Sequence, residues 1–305
     1  MDARVGRVHS RYVVVHYHIF KNGGTTIEHI LEREFAGRFA TLHGPGSDSS
    51  LDAGDLLEFL GRNPEIAAVS SHHLRYPKPV SRRMIFFDCC YLRNPLARLY
   101  SCFNHFCKDN SDDLCARWAR SCGPREFATR LINEAPHQVS DVQVTQLANA
   151  GGFTRPADEQ DLERATALIR DMAIPGLVEM FDESLAVAEY YLRPAFPTLR
   201  LEYIAQNVRR AAQHPPAESR EYWEDLWGED LYKQLLRMNE MDMELVRRAK
   251  CEILRRLNRI PRVSEKLADL QRRCARLAAA SGAGVIPQVS PAPHEAGKSM
   301  IAAGG

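Results

Sequence analysis

A glycine pair between two apolar segments constrains this chain more than any other feature. The stretch VVVHYHIFKNGGTTIEHIL, residues 13–31, begins with β-branched residues typical of a buried strand and ends with apolar residues at helical spacing. Glycines at such a junction let backbone N–H groups approach a ligand, and the helix N-terminus favours negative charge. The segment therefore predicts an anion-binding loop suited to phosphate or sulfate.

The residues around the glycines refine this prediction. Thr25 and Glu28 match the S/T-x-x-E capping box, which predicts a helix over 26–36. The Walker A pattern G-x-x-x-x-G-K-[ST] does not match, because Lys21 precedes the glycines instead of following them. The loop therefore disfavours an ATPase or GTPase.

A second strand-to-helix junction carries further phosphate-binding chemistry. The apolar run MIFFDCCYL, residues 84–92, predicts a buried strand, and Asn94 and Pro95 are typical of the N-cap and first position of a helix. Arg93 then lies at the strand end and Ser101 two turns into the helix. An arginine fork and a short hydroxyl both suit phosphate oxygens, so we expect the two to face one phosphate.

Strands that alternate with helices predict an α/β fold with a central parallel sheet flanked by helices. A further strand pair is predicted late in the chain, followed by a largely helical C-terminal part with long amphipathic periodicity. The predicted strands are 12–19, 65–73 and 84–92 in the first half, and the pair 175–181 and 198–203.

The 305 residues are long enough for one domain with an appendage. Its last residues are rich in Gly, Ala, Pro and Ser, which favours disorder. The predicted organisation is a flexible N-terminus (1–11), one domain (12–260), a terminal helix (261–280) and a disordered tail (281–305).

Charge and composition limit the partners. A formal net charge of +1 argues against bulk electrostatic binding of nucleic acid, although local basic clusters remain. No run approaches the roughly 18 apolar residues of a membrane span, so we expect no membrane span and a cytoplasmic location. The eight cysteines include no C-x-x-C, which disfavours a zinc ribbon or a thioredoxin-type pair. Cys107, Cys115 and Cys122 are clustered enough for one disulfide in an oxidising compartment, but in a cytosol free thiols are expected.

Taken together, the two phosphate motifs resemble those of carbohydrate-type sulfotransferases. HIFKNGGTT resembles their 5′-phosphosulfate loop, H-I-P-K-T-G-G-T-S/T, and YLRNPLARLYS resembles their 3′-phosphate motif, L-R-D-P-x-x-R-x-x-S. The pattern is most similar to the group that contains heparan sulfate 2-O-sulfotransferase and its bacterial cousins. Weaker similarities follow in the family's order at SSHHL, DVQVTQLANAG, GLVEMFDESL and NEMDMELVRRA.

The resemblance implies a P-loop-like sulfotransferase fold and the donor 3′-phosphoadenosine 5′-phosphosulfate (PAPS), which leaves as 3′-phosphoadenosine 5′-phosphate (PAP). The acceptor would be a hydroxyl of a carbohydrate or other small molecule, no metal would be required, and the oligomeric state stays open. Lys21 would neutralise charge on the bridging oxygen and 5′-phosphate, and Arg93 with Ser101 would bind the 3′-phosphate. The implied donor-binding set is Lys21, Asn22, Gly23, Gly24, Thr25, Thr26, Arg93 and Ser101.

The general base is expected to be a histidine at a strand end, because imidazole titrates near neutrality. His72 and His73 both qualify, and alignment of SSHHL with the family's G-H-x segment favours His72. The chain departs from the family's patterns at Phe20, where proline is usual, and at Asn22, Asn94, Thr145 and Val246.

Two alternatives remain open. One is a nucleotide-dependent kinase-like phosphotransferase with a degenerate loop, which a Mg²⁺ requirement would reveal. The other is a non-catalytic nucleotide-binding homologue, because Thr145 stands where the family has an arginine that borders the substrate.

Overall fold

The computed structural model describes residues 10–46, 49–148, 155–204 and 219–281. The predictions of a flexible N-terminus and a disordered tail therefore fall, for residues 1–9 and 282–305, outside the described residues. The basic cluster at 209–210 also lies outside them.

Five parallel strands form one central sheet, as predicted, in the order β2-β3-β1-β4-β5. The central strand β1 has helices over both faces, so Val13, Val14 and Val15 are all buried. Burial on both faces explains why the sequence reads as a continuous apolar run there. The strands are β1 (Arg11–Tyr17), β2 (Phe39–Thr41), β3 (Ala68–Ser71), β4 (Met84–Leu92) and β5 (Ile174–Leu177).

Helices flank the sheet and make up most of the chain after β4, which confirms the predicted α/β architecture with a helical C-terminal part. Those before β5 are α1 (Gly24–Glu34), α2 (Ala53–Arg62), α3 (Pro95–Phe106), α4 (Leu114–Ser121), α5 (Pro124–Glu134), α6 (Val142–Ala148) and α7 (Glu159–Asp171). Those after it are α8 (Phe181–Leu192), α9 (Arg220–Trp227), α10 (Glu229–Met238), α11 (Glu240–Leu257) and α12 (Val263–Ala280). Short 3-10 turns occupy Pro136–Gln138 and Val178–Met180.

Two local predictions are wrong. The helix α1 begins at Gly24 after Gly23 in the left-handed region, with no side-chain cap, because Glu28 turns toward the sheet instead of back to Thr25. The predicted strand at 198–203 is not a strand. Its backbone is bound by side chains of neighbouring helices, since Leu201 N donates to Glu189 Oε1.

The strand order brings three loops together at one edge of the sheet. The chain runs from β1 to the side of β2 and β3, and then crosses β1 to reach β4 on the other side. In open parallel sheets, ligands bind outside the carboxyl ends of the strands where the order reverses in this way. The segments that leave β1, β3 and β4 therefore define the candidate site.

Across the parts of the chain that the structure describes, no helix is both long and apolar enough to cross a bilayer.

Candidate active site

The loop that leaves β1 is held in an uncommon backbone conformation. Asn22 N donates to Ile19 O at 3.2 Å, which closes a tight turn, and Lys21 and Gly23 have φ angles of 67° and 75°. A lysine in the left-handed region needs support from its surroundings. Arg93 supplies it, because its Nη1 donates to Lys21 O at 2.9 Å and so ties the β1 loop to the end of β4.

The second glycine of the pair is required by a buried histidine. A Cβ added to Gly24 would lie 1.8 Å from His18 Nε2. The His18 ring has little room to move, because it stacks between the rings of His16 and His72 at centroid distances of 5.0 and 3.7 Å. Gly24 therefore allows the helix α1 to begin directly against the His18 ring.

Gly24→Ala is expected to lower the free energy of unfolding by about 2 kcal/mol, as overpacking of a filled site does. Gly61→Ala is the matched control, because Gly61 is exposed on α2 with nothing within 4 Å of an added Cβ. It should stabilise the chain by roughly 0.5–1 kcal/mol through helix propensity. Chemical denaturation of both variants measures the difference, and equal stabilities would contradict this packing.

The side chain of Asn22 supports the loop that leaves β1. Its Nδ2 donates to Tyr91 O and to Gln143 Oε1, both at 2.8 Å, and the residue is buried. Gln143 on α6 also binds both backbone groups of Arg93. Its Oε1 accepts from Arg93 N at 2.9 Å, and its Nε2 donates to Arg93 O at 2.8 Å. One buried amide thus fixes the two predicted phosphate-binding segments relative to each other.

A pair of buried aspartates anchors Gln143 in turn. Asp242 on α11 accepts from the N–H groups of Gln143 and Val144, which caps the N-terminus of α6. Asp141 Oδ1 accepts from Asp242 N at 2.9 Å. Burial, followed by the charge of Asp242, raises the pKa of Asp141 to about 7. The charge of the buried Asp242 therefore favours the protonated form of Asp141.

Asp141→Asn is expected to remove a pH-dependent loss of stability. The pKa of Asp141 is raised in the folded chain. The stability that its protonated carboxyl contributes is therefore complete below the ordinary pKa of 3.8 and is lost as pH rises through about 7. Asparagine keeps the acceptor oxygen and tolerates the φ of 40°. The melting temperature of the variant should exceed that of the wild type by a few degrees at pH 8, and converge toward it at pH 5. No gain at pH 8 would contradict a raised pKa of Asp141 in the folded chain.

Three cations converge at the start of α3. Lys21, Arg93 and Arg98 all lie close enough to act on the thiol of Cys102, whose pKa is nevertheless raised by burial. Arg98 is 3% exposed, and its Nε and that of Arg93 have no hydrogen-bond partner among the residues described. Buried donors without acceptors are costly, so this cluster is electrostatically prepared for an anion. Ser101 is half-buried on the same helix.

Hydrogen bonds distinguish the two candidate bases. His72 Nδ1 lies 3.0 Å from His18 O, and since a carbonyl only accepts, Nδ1 carries the proton and Nε2 the lone pair. His73 Nδ1 instead accepts from Gly44 N at 2.8 Å, which occupies its lone pair. The geometry therefore leaves His72 Nε2 as the basic atom and gives His73 a role in holding the 43–46 loop.

Burial, followed by the charge of His18, lowers the pKa of His72 to about 4. His72 is therefore neutral at pH 7 and able to accept a proton, although it is a weak base. Burial also lowers the pKa of Lys21, and the cations Arg93 and Lys108 act in the same direction. A negative ligand at the loop would raise the pKa of Lys21 again.

A cluster behind the base was missed at the sequence level. His16 Nδ1 donates to Ser70 Oγ, which donates to Glu28 Oε1, and His18 Nδ1 lies 2.9 Å from the same oxygen. Burial alone would raise the pKa of Glu28, but the hydrogen bonds from His18 and Ser70 outweigh it and lower that pKa to about 2. The strand positions of the histidines indicated only core and sheet-face residues.

The donor groups of His16, His18 and Glu28 lie within 4.8 Å of one another, close enough for a metal ion. The hydrogen bonds within the cluster account for the arrangement without one. All eight cysteines are unpaired with one another in the structure.

No family model matches this chain. It is similar to an uncharacterized protein of Archaeoglobus fulgidus, with 26% identity over 243 residues that cover 77% of this chain and 95% of the relative. That description names no activity, so the geometry of the site is the basis for the function proposed below.

Proposed function

We propose that this protein is a PAPS-dependent sulfotransferase that transfers a sulfuryl group to a hydroxyl of a carbohydrate or other small-molecule acceptor. The observation that carries the proposal is the cluster of Lys21, Arg93 and Arg98 around Cys102. Arg93 binds the carbonyl of Lys21, and the Nε atoms of both arginines lack an acceptor among the residues that the structure describes. A soluble cytoplasmic setting, where PAPS is available as a diffusible donor, belongs to the same proposal.

The residues present suit a ligand with two phosphates. The Lys21 side chain, the N–H groups of Gly23, Gly24 and Thr25 and the threonine hydroxyls would hold the 5′-phosphate at the N-terminus of α1. The N–H of Thr26 donates to Gly23 O at 3.0 Å and so closes the turn of the loop. Arg93, at the end of β4, and Ser101, on α3, would hold the 3′-phosphate. Asn22 would act on this site indirectly, because its side chain is bound to Tyr91 and Gln143.

PAPS supplies the sulfuryl group and a stable bisphosphate leaving group. His72 Nε2 would accept the proton of the acceptor hydroxyl as the new O–S bond forms. Lys21 would neutralise the charge that develops on the leaving phosphate oxygen as the old O–S bond breaks. The products balance as the sulfate ester, PAP and one proton, and positioning provides most of the catalysis in such an in-line transfer.

Transfer of ³⁵S from labelled PAPS to a panel of hydroxyl acceptors, in the presence of EDTA, tests this function. We expect metal-independent transfer that His72→Gln lowers at least a hundredfold, with His73→Gln as the neighbouring control. Transfer of the γ-phosphoryl group of ATP that depends on Mg²⁺ would favour the kinase-like alternative. Tight PAP binding without transfer to any acceptor would favour the non-catalytic homologue.

A further inference from the structure

An exposed aromatic ring lies directly beside the candidate base. Phe20, in the β1 loop, is 37% exposed, and its ring centroid lies 6.2 Å from that of His72 in an edge-on arrangement. The ring also contacts His105 and Phe106 at the end of α3, with centroids 5.2 and 5.9 Å away. We call Phe20, His105 and Phe106 the aromatic shelf.

The shelf spans the two sides of the site. His72 leaves β3 and Lys21 follows Phe20 in the β1 loop, where its ammonium lies 5.5 Å from the centroid of the Phe20 ring. A ligand on the exposed part of this ring would therefore lie near both the candidate base and the cation assigned to the leaving group. Phe20 is thus placed to contact an acceptor, at a position where the resembled loop has proline.

We propose that the acceptor is a phenol, whose ring packs on the aromatic shelf and whose hydroxyl faces His72 Nε2. This inference rests on the proposed sulfotransferase function and narrows its acceptor to one chemical class. Aromatic pairs favour offset or edge-to-face arrangements with centroids roughly 4.5–7 Å apart. Phe20 and His72 are themselves such a pair. A phenol ring packed on the exposed part of Phe20 would therefore be a neighbour of His72, with its hydroxyl directed to the base.

The strength of the base supports the same class. With its pKa lowered to about 4, His72 is poorly matched to an aliphatic alcohol. A phenolic hydroxyl, with a pKa of about 10 as in tyrosine, gives up its proton far more readily. In the transfer, the phenolic proton passes to His72, the phenol oxygen bonds to sulfur, and the bond between sulfur and the leaving phosphate oxygen breaks.

Binding, measured without turnover, tests the proposal. p-Cresol, 4-methylcyclohexanol and methyl β-glucoside are titrated calorimetrically into the protein saturated with PAP. The first two share size and shape and differ in aromaticity. We expect p-cresol to bind at least tenfold more tightly than either other compound, and Phe20→Leu to remove this preference. Tyr12→Leu is the control, because Tyr12 is 40% exposed at the opposite end of β1.

The outcomes separate this inference from the function on which it rests. Absence of PAP binding to the folded wild type would overturn both. If p-cresol and 4-methylcyclohexanol bind equally well, while Phe20→Leu changes PAP affinity by less than about threefold, the phenol proposal alone would be overturned. Preferential binding of the glucoside would also overturn it and would favour a carbohydrate acceptor.

Discussion

Replacing Gln143 by alanine is expected to lower the free energy of unfolding by about 3 kcal/mol or more. The side chain is fully buried and binds Asn22, both backbone groups of Arg93, and Asp242. Its removal leaves several buried polar groups without partners, each worth about 1–3 kcal/mol. For a chain of 305 residues, the melting temperature should fall by roughly 5 °C or more.

Gln146→Ala is the matched control for this variant. Gln146 lies on the same helix, is half-buried, and donates to His72 O at 3.3 Å. Its loss should cost less than about 1 kcal/mol. At temperatures where both variants are folded, only Gln143→Ala should also weaken PAP binding, since it releases the two phosphate-binding segments from each other. Equal melting temperatures of the Gln143→Ala and Gln146→Ala variants would show that Gln143 does not hold the two phosphate-binding segments together.

Replacing Lys21 by methionine is expected to reduce the rate of sulfuryl transfer by a factor of roughly 10²–10³, the usual effect of removing one preorganised charge-stabilising group. Methionine keeps the length of the side chain and adopts the same backbone conformation as lysine at no additional steric cost. Single-turnover transfer from labelled PAPS measures the chemical step, and PAP affinity should fall far less than the rate.

Lys108→Met is the control that distinguishes a direct contact of Lys21 with the leaving phosphate from the general positive charge around the site. Lys108 is exposed and close enough to influence the pKa of Lys21. Its removal should change the transfer rate by less than about threefold, because exposed charges are strongly screened. Similar losses in the two variants would contradict a direct contact between Lys21 and the leaving phosphate.

Much of the fold could be predicted because its signals are local. The central strands are buried on both faces and so read as apolar runs, and Asn94 was recognised as a helix cap, which its acceptance from Leu96 N and Ala97 N confirms. The segment 198–203 has the composition of a strand but is held by side chains of α8 and α12, which pattern reasoning does not anticipate. The three-residue strand β2 carried too short a pattern to recognise.

The candidate site was only partly predictable, because its contacts join distant residues. His72 and His73 are adjacent residues of one type, and only their partners, His18 O and Gly44 N, distinguish them. Glu28 matched the pattern of a capping box, so nothing in the sequence indicated its hydrogen bond to His18. Gln143 lay in a recognised motif, yet its role depends on partners 50 and 121 residues away. The cytoplasmic location and the donor stay predictions.

Calorimetric titration with PAP and with adenosine 5′-phosphate, which lacks the 3′-phosphate, is a direct test of the proposed donor site. We expect metal-independent binding of PAP that is roughly tenfold to a hundredfold tighter than that of adenosine 5′-phosphate, the range expected for charge-assisted contacts to one phosphate. Arg93→Ala should abolish the difference. Equal affinities in the wild type, or binding of ATP with Mg²⁺ in preference to PAP, would contradict a sulfotransferase donor site.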